Sequence, residues 1–337
     1  MKKIFLTIDI ECHDISKYDY YIDGKIGNEN YGLRKILEIC KDNGIILNCF
    51  VDFAECHRYG DAFIEEIIHL ISEYNQPIHL HLHPNYITGD DSRTFLWEYS
   101  LEEQRAILKT GFEDYRRLVG KECSVFRIGR YGCDANMYKA LMDFNDIIDL
   151  SYCYSFDSMC HFDAGVYNKP IKNQNVLILP NTRYCSFKLF NKIKYVNFDI
   201  PGTNVFEYKK ILNNENLNSF VCTMHSWGLL KKSLFSKDKF SVDKKAIKKL
   251  YKLASFAKKN GIEFSTIDSN INLNTNDDSL DLCDTPLSYC LEMLGTFIRI
   301  RKLARTNRKY FFIYSGFYIL IGLCIFACLA KTISKIL

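Results

Sequence analysis

The sequence lacks the features that mark several classes of protein. Its 44 lysines and arginines nearly balance 40 acidic residues, and a net charge of +4 over 337 residues is too small to indicate a nucleic-acid-binding protein. No CxxC pair occurs among the 14 cysteines, and their irregular spacing in so long a chain argues against a small disulfide framework. We therefore expect reduced thiols, as in the cytosol. No internal repeat is present, which excludes a solenoid.

The N-terminal segment also lacks the pattern of a secretion signal. Residues 1–6 are basic and then apolar, but Asp9 and Glu11 interrupt the apolar stretch and no small-residue cleavage site follows. This segment is better interpreted as a first β-strand that ends in carboxylates. What the chain does contain is 47% hydrophobic and 25% charged residues, a composition that predicts a folded core.

Apolar, β-branched runs alternate with segments of helical spacing across residues 1–270. The predicted strands cover residues 4–10, 45–53, 78–83, 123–128, 176–179, 195–200, 220–225 and 262–267. The predicted helices cover residues 31–41, 62–72 and 101–119. Strands alternating with helices predict an α/β fold with a parallel sheet, and this many repeats favours a barrel over an open sheet.

The C-terminal part of the chain has a different composition. Residues 310–330 carry no charge, and because about 20 apolar residues span a bilayer core, we expect a transmembrane helix there. A buried core helix is the alternative. Residues 298–309 form a basic segment before it, and residues 271–297 are expected to be a linker with an interfacial helix. The excess of Lys and Arg before the span predicts a single-pass membrane protein whose domain, residues 1–270, is cytoplasmic.

Carboxylates and imidazoles gather at the ends of the first and third predicted strands. Asp9 and Glu11 are two residues apart, so both face one side of an extended strand and repel unless a cation or proton intervenes. A solvated strand end is the plainer interpretation of this pair alone. His79, His81 and His83 occupy alternate positions of one strand, so their imidazoles share a face. Imidazoles and a carboxylate are common ligands of divalent metals, and the pattern predicts a metal site.

Two further clusters end later strands. Arg127 can form a bidentate pair with a carboxylate, and the glycines flanking Tyr131 permit a tight turn whose N–H groups face a cleft. His225 ends a hydrophobic strand beside Trp227, where an imidazole is a reasonable general acid. A satisfied core histidine is the alternative. Because parallel α/β folds collect their functional groups at the carboxyl ends of strands, we expect the four clusters to form one site.

Taken in order, the four clusters resemble the polysaccharide deacetylase superfamily, also called the NodB-homology family or carbohydrate esterase family 4. Its members show a T-F-D-D type motif, an H-x-x-x-H-P type histidine pair, an R-x-P-x-G type loop and a late strand ending in L-x-H. The corresponding segments here are residues 7–11, 79–84, 127–132 and 223–225. The resemblance covers roughly residues 1–268. It implies an irregular (β/α)7, TIM-like barrel, here as a membrane-anchored variant.

The resemblance also implies roles for the first two clusters. Asp9 would be the general base, and Glu11 would be the carboxylate ligand of a divalent metal. His81 and His83 are the favoured imidazole ligands, with His79 as a further candidate. The cofactor that the resemblance implies is a divalent metal, with Zn²⁺ as the first candidate. Other divalent ions also suit such ligands.

The later clusters are given roles in the same way. Arg127 would orient Asp9 and hold it ionised, and His225 would be the general acid that protonates the leaving group. A backbone N–H near Tyr131 would stabilise the oxyanion, and Trp227 would contact the substrate.

Two positions depart from the family pattern. The usual second aspartate is replaced by a glutamate, Glu11, which lies one residue further along the chain. Gly129 stands where a proline is expected. The expected function is metal-dependent removal of N-acetyl or O-acetyl groups from a sugar in surface glycan or polysaccharide biosynthesis. The expected partners are an acetylated sugar, lipid-linked or nucleotide-linked, and membrane lipid, without nucleic acid. A hydrolase of non-sugar amide bonds on the same barrel and a catalytically inactive glycan-binding relative remain the alternatives.

Overall fold

The computed structural model describes residues 1–189, 192–233, 239–273, 279–282 and 315–316. The predicted basic segment, nearly all of the predicted transmembrane span and most of the predicted linker lie outside these residues. In the part of the chain that is described, no helix is both long enough and apolar enough to cross a membrane. The chain divides into two compact units, residues 1–185, 195–230 and 242–282 and residues 186–194, 231–241 and 283–337. The sheet that carries the predicted site belongs to the first unit.

The strands are two to eight residues long. They are β1 Lys3–Ile10, β2 Lys25–Ile26, β3 Glu29–Asn30, β4 Leu47–Asp52, β5 Ile78–Leu82, β6 Val125–Ile128, β7 Ile147–Asp149, β8 Ile171–Asn173, β9 Val176–Ile178, β10 Arg183–Leu189, β11 Lys192–Asn197, β12 Ser219–His225, β13 Leu230–Lys232, β14 Phe240–Val242 and β15 Glu263–Phe264. The α-helices are α1 Leu33–Asp42, α2 Cys56–Tyr59, α3 Asp61–Glu73, α4 Pro84–Thr88, α5 Leu101–Val119, α6 Ala135–Leu141, α7 Val205–Asn213 and α8 Lys244–Lys259.

The main sheet has nine strands, in the order β12-β1-β4-β5-β6-β7-β9-β8 with β15 added beside β1. The strands β12, β1, β4, β5, β6, β7 and β9 all pair in parallel with their neighbours. β8 alone joins in the antiparallel sense. The α/β fold with a parallel sheet predicted from the sequence is therefore confirmed.

Irregular segments connect the two sides of this sheet. The chain continues from β9 into residues 181–183, where Phe198 N–H donates to the carbonyl of Thr182 at 2.8 Å. Thr223 N–H, in β12, donates in turn to the carbonyl of Phe198 at 2.9 Å. Backbone hydrogen bonds thus run from the segment after β9 to β12 without a continuous strand between them.

Local sequence explains the elements that carry the site. Every residue of β4 and β5 is buried, as expected for parallel strands covered on both faces. Among the described residues, the longest helix is α5, and it begins at a capping box in which Ser100 accepts from Glu103 N–H and Glu103 accepts from Ser100 N–H. It ends at Gly120, whose φ of 79° suits glycine. These helices cover the strands and hold their carboxyl ends in register.

Candidate active site

Strand pairing places the four sequence clusters at the carboxyl edge of the sheet. Asp9 pairs with His225 of β12, and His81 of β5 pairs with Arg127 of β6. Between them, Asp52 at the end of β4 pairs with His81. Because the strands are parallel and in this register, their carboxyl ends present these side chains at the same edge, as the sequence predicts.

Glu11 lies against two imidazoles. Its Oε2 is 2.6 Å from His83 Nε2 and 3.6 Å from His81 Nε2. The shorter contact lacks hydrogen-bond geometry, so Glu11 Oε2 and His83 Nε2 are buried without a hydrogen-bond partner. Such atoms are costly to bury unless another group satisfies them. One ligand atom from each of the three residues lies within 4.8 Å of the others, and the donor set fits a divalent cation.

The ring of His81 is oriented by backbone. Its Nδ1 is 3.0 Å from the carbonyl oxygen of Arg127, which can only accept, so Nδ1 carries the hydrogen. In the neutral ring the lone pair is then on Nε2, the atom that faces Glu11. A metal-binding histidine commonly donates its other N–H to a carbonyl in this way.

The electrostatics around Glu11 favour its ionised form. Burial alone would raise the pKa of Glu11, but the charge of His83 and polar contacts from His13 and His81 hold that pKa well below its ordinary value. Burial would lower the pKa of His81, but the charges of Asp9 and Glu11 outweigh it and raise that pKa to about 9. The carboxylates thus draw positive charge onto this site, a need that a bound cation also meets.

His79 is set apart from the other two histidines, and its inclusion among the metal ligands is corrected here. Its Nε2 is 3.1 Å from Asn48 Oδ1, and its ring packs against Phe50. Burial lowers the pKa of His79 to about 3, so it is neutral. Alternate strand positions do share a face, but four residues of strand separate His79 from His83 by about 13 Å, which puts His79 deep in the sheet.

Arg127 and Asp9 form a buried pair. Arg127 Nη1 donates to Asp9 Oδ1 at 2.5 Å, and Nη2 donates to Thr7 Oγ1 at 3.0 Å. Arg127 is fully buried, with its guanidinium over the ring of Phe50. A charged pair at this depth depends on both partners, since the loss of one leaves an uncompensated charge.

The remaining predicted residues line the mouth of a cleft of about 210 Å³ shared with Asp9, Glu11, His81, His83 and Arg127. His225 Nε2 is 3.6 Å from Glu11 Oε1, and the ring of His225 stacks on Trp227 with centroids 4.6 Å apart. The side chain of His225 is 44% exposed, so it can meet a ligand that enters from solvent. Tyr131 follows Arg130, and both have positive φ, 55° and 59°, a strained turn of the kind found at functional sites.

Gly129 lies against the imidazole of His83. A Cβ at this position would come within 2.7 Å of the Cδ2, Cε1 and Nε2 atoms of His83, closer than real Cβ contacts. The glycine that stands where the family pattern has proline is therefore required by the position of His83.

Two residues of the site, His13 and Asp52, are not predicted from the sequence. His13 Nε2 is 3.3 Å from Glu11 Oε1, and its Nδ1 is 3.2 Å from the hydroxyl of Tyr86. Asp52 is fully buried, and its Oδ1 accepts from His83 N–H at 3.2 Å. His13 lies three residues beyond the end of β1, and its spacing from Asp9 and Glu11 is the one signal that could have found it. Asp52 closes an apolar run and shows no such signal.

A second group with ligand atoms, Cys56, His57 and Asp114, has a different character. His57 Nε2 is 2.7 Å from Asp114 Oδ2, and Arg117 Nη2 donates to Asp114 Oδ1 at 2.7 Å. The same Arg117 nitrogen is 3.8 Å from the Cys56 sulfur. Because the Arg117 guanidinium already contacts Asp114 and Cys56, this group is a salt-bridge network.

No protein-family model and no curated protein matches the chain. Among solved structures, it is similar to a family 4 carbohydrate esterase from Streptomyces lividans in complex with acetate, at 10% identity and a TM-score of 0.42 over 79% of this chain and 93% of that one. It is similar to a polysaccharide deacetylase from Bacillus cereus at 12% identity and a TM-score of 0.42, over 82% and 97%. A carbohydrate esterase family 4 pseudoenzyme from Bacillus anthracis matches at 13% identity and a TM-score of 0.38, over 78% and 63%.

Proposed function

We propose that this chain is a metal-dependent hydrolytic deacetylase that removes N-acetyl or O-acetyl groups from a sugar in surface glycan or polysaccharide biosynthesis. The observation that carries the proposal is a single cleft in which three different chemical functions meet. A carboxylate–imidazole donor set lies beside the Asp9–Arg127 pair. His225 stands at the solvent side of the Glu11 carboxylate, which belongs to that donor set. Cation binding, a base and an acid are the groups that metal-assisted amide hydrolysis requires.

The residues divide the chemistry between them. Glu11, His81 and His83 would hold a divalent cation, with Zn²⁺ as the first candidate. That cation would supply a Lewis acid for water and for the acetyl carbonyl. Asp9, fixed by Arg127, takes a proton from the attacking water. His225 donates a proton to the leaving nitrogen, for which its exposed position suits it.

Two other cleft residues contact the substrate in this proposal. A backbone N–H at Tyr131 donates to the developing oxyanion. Trp227 offers an aromatic face beside His225, which an apolar face of a sugar ring can cover.

The proposal extends to the location of the reaction. Residues 310–330 would anchor the chain in membrane lipid and leave residues 1–270 on the cytoplasmic side, as the distribution of Lys and Arg favours. An enzyme placed there meets glycan precursors before export. We therefore propose a lipid-linked or nucleotide-linked acetamido sugar as the substrate class.

The test uses the full chain in detergent, loaded with zinc, with released acetate measured on acetylated hexosamine substrates. Asp9→Asn should lower turnover by about 10²- to 10⁴-fold, the usual contribution of a general base, while zinc content stays unchanged. A double variant, His81→Ala with His83→Ala, should lose both zinc and turnover. His69→Ala removes an imidazole that is 80% exposed on α3 and serves as the matched control.

The outcomes separate the alternatives. Zinc binding with turnover of non-sugar acetamides alone would favour the amide hydrolase. Zinc binding and sugar binding without any turnover would favour the inactive glycan-binding relative. A folded chain that binds no divalent metal would overturn the proposal.

A further inference from the structure

The two oxygens of the Glu11 carboxylate have different neighbours. Oε2 faces His81 and His83 at 3.6 and 2.6 Å. Oε1 faces His13 and His225 at 3.3 and 3.6 Å. Four imidazoles therefore surround one carboxylate, two on each oxygen, and only the Oε2 pair forms the compact donor set.

His13 is held in a fixed orientation. The ring of His13 contacts the rings of Tyr21 and His83 edge-on, with centroids 5.4 and 5.5 Å apart. On its far side, Nδ1 lies 3.2 Å from the hydroxyl of Tyr86. Tyr86 is 6% exposed and sits in α4, directly after the histidine strand, so its hydroxyl is anchored by the same segment that carries His83.

The hydrogen bonds on His13 select one tautomer. Ionised Glu11 can only accept, so the His13 nitrogen that faces it, Nε2, carries the hydrogen. Nδ1 then holds the lone pair, and the hydroxyl of Tyr86 donates to it. The result is a directed chain from Tyr86 through His13 to Glu11 Oε1.

We propose that His13, oriented by Tyr86, is a positioning residue that binds Glu11 Oε1 and keeps Oε2 directed at His81 and His83. This inference rests on the metal site of the proposed function. It assigns His13 no contact with the metal, because His13 lies outside the compact donor set of Glu11, His81 and His83.

A glutamate at this position needs such a partner. Its carboxylate has one more rotatable bond than an aspartate, and freezing that freedom costs conformational entropy each time a ligand binds. A hydrogen bond to the second oxygen fixes the carboxylate in advance. Loss of an outer partner of this kind typically weakens metal affinity 10- to 100-fold.

The experiment measures zinc affinity of the metal-free full chain in detergent by competition with a chromophoric chelator. His13→Ala should bind zinc about 10- to 100-fold more weakly than the native chain. His13→Gln should recover most of that affinity, because the amide N–H of glutamine can donate to Oε1 from a similar position. Tyr86→Phe should lose part of it, since the tautomer is no longer fixed. His69→Ala should match the native chain.

X-ray absorption of the zinc-loaded proteins then counts the imidazole ligands. Two imidazoles in both the native chain and His13→Ala are the expected result. Three in the native chain and two in the variant would overturn the proposal, because His13 would then be a ligand. Equal zinc affinity in native chain, His13→Ala and His13→Gln would overturn it as well.

The result does not depend on turnover. A chain that binds zinc with the expected order of affinities but deacetylates no sugar would refute the proposed function and leave the role of His13 supported. A native chain that binds no zinc would refute both. Circular dichroism of metal-free His13→Ala checks that a weaker affinity does not come from unfolding.

Discussion

At the scale of single residues, the contact between Gly129 and His83 shows how little free space surrounds the donor set. The imidazole of His83 occupies the volume that a side chain at residue 129 would fill. Any such side chain must displace either the ring or the loop that carries Tyr131. The position of His83 and the loop of residues 129–131 are thus coupled sterically through the absence of a Cβ at Gly129.

Replacing Gly129 with alanine should therefore weaken zinc affinity at least about 10-fold. Displacement of the ligand His83 should lower the affinity as much as the loss of a residue that hydrogen-bonds to a ligand does. Chelator competition on the full chain measures it. Gly44→Ala is the control, because a Cβ there meets open space although its φ is 63°. That control should lose stability with zinc affinity unchanged. Native affinity in Gly129→Ala would show that the loop yields instead.

Most of the site could be predicted because its residues end predicted strands. The carboxyl ends of parallel strands meet, so Asp9, Glu11, Arg127 and His225 are brought together by fold class alone. His79 shows the limit of that reasoning, because strand alternation gives the face of a residue and not its depth. His13 is not predicted, because it lies beyond the end of the strand and only the folded structure shows that its ring faces Glu11.

At the scale of elements, the carboxyl end of β7 places a buried acid near the site. Asp149 is fully buried and its Oδ2 accepts from the Tyr138 hydroxyl at 2.8 Å. Burial raises the pKa of Asp149 to about 6 from an ordinary 3.8. The folded chain thus binds this proton more tightly than the unfolded chain does.

The sign of the pH dependence follows from that difference. The stabilisation from protonated Asp149 is present below about pH 4 and is lost as pH rises through 6. Asp149→Asn removes this titration, so the native chain should lose stability between pH 4 and pH 7 relative to the variant. Urea unfolding with chelator present measures both curves. Parallel curves would show that Asp149 does not titrate in this range.

Elements with strong local signals are predicted closely, and others are not. The helix predicted over residues 101–119 is observed as α5 over Leu101–Val119, because its capping box and terminal glycine mark both ends. α8 is not among the predicted helices. Its buried face is largely small, with Ala246, Ala254 and Ala257 beside two leucines, and its other faces are rich in lysine. The spacing of these buried positions is helical, so the sequence carries a signal for α8 that the prediction did not use.

At the scale of the whole molecule, the buried carboxylates predict that metal and fold stabilise each other. Glu11 and Asp52 are both buried, with imidazoles as neighbours. Zinc at 100 times its Kd should stabilise the folded chain by about 2.7 kcal/mol, and chelator should remove that gain. Thermal unfolding with and without zinc measures the shift. The double variant His81→Ala, His83→Ala should show none, and a shift of native size there would place the metal elsewhere.

The large-scale organisation is predicted in part. Alternating strands and helices predict the parallel α/β fold, since that pattern leaves few other arrangements. The irregular closure through residues 181–183 and 197–200 could not be predicted, because it uses isolated hydrogen bonds without a repeating pattern. The membrane anchor and the cytoplasmic orientation remain predictions from the apolar run at 310–330.

The position of β1 between β4 and β12 also sets the order in which the molecule is completed during synthesis. Thr7 of β1 donates to the carbonyl of Cys222, 215 residues later. At about 5–20 residues per second, a ribosome leaves that edge of β1 unpaired for roughly ten to forty seconds. The donor set lies wholly within the first 83 residues, whereas His225 arrives with the last strands of the sheet. A nascent chain therefore carries Glu11, His81 and His83 long before His225, and the cleft that they share is complete only once β12 has been translated.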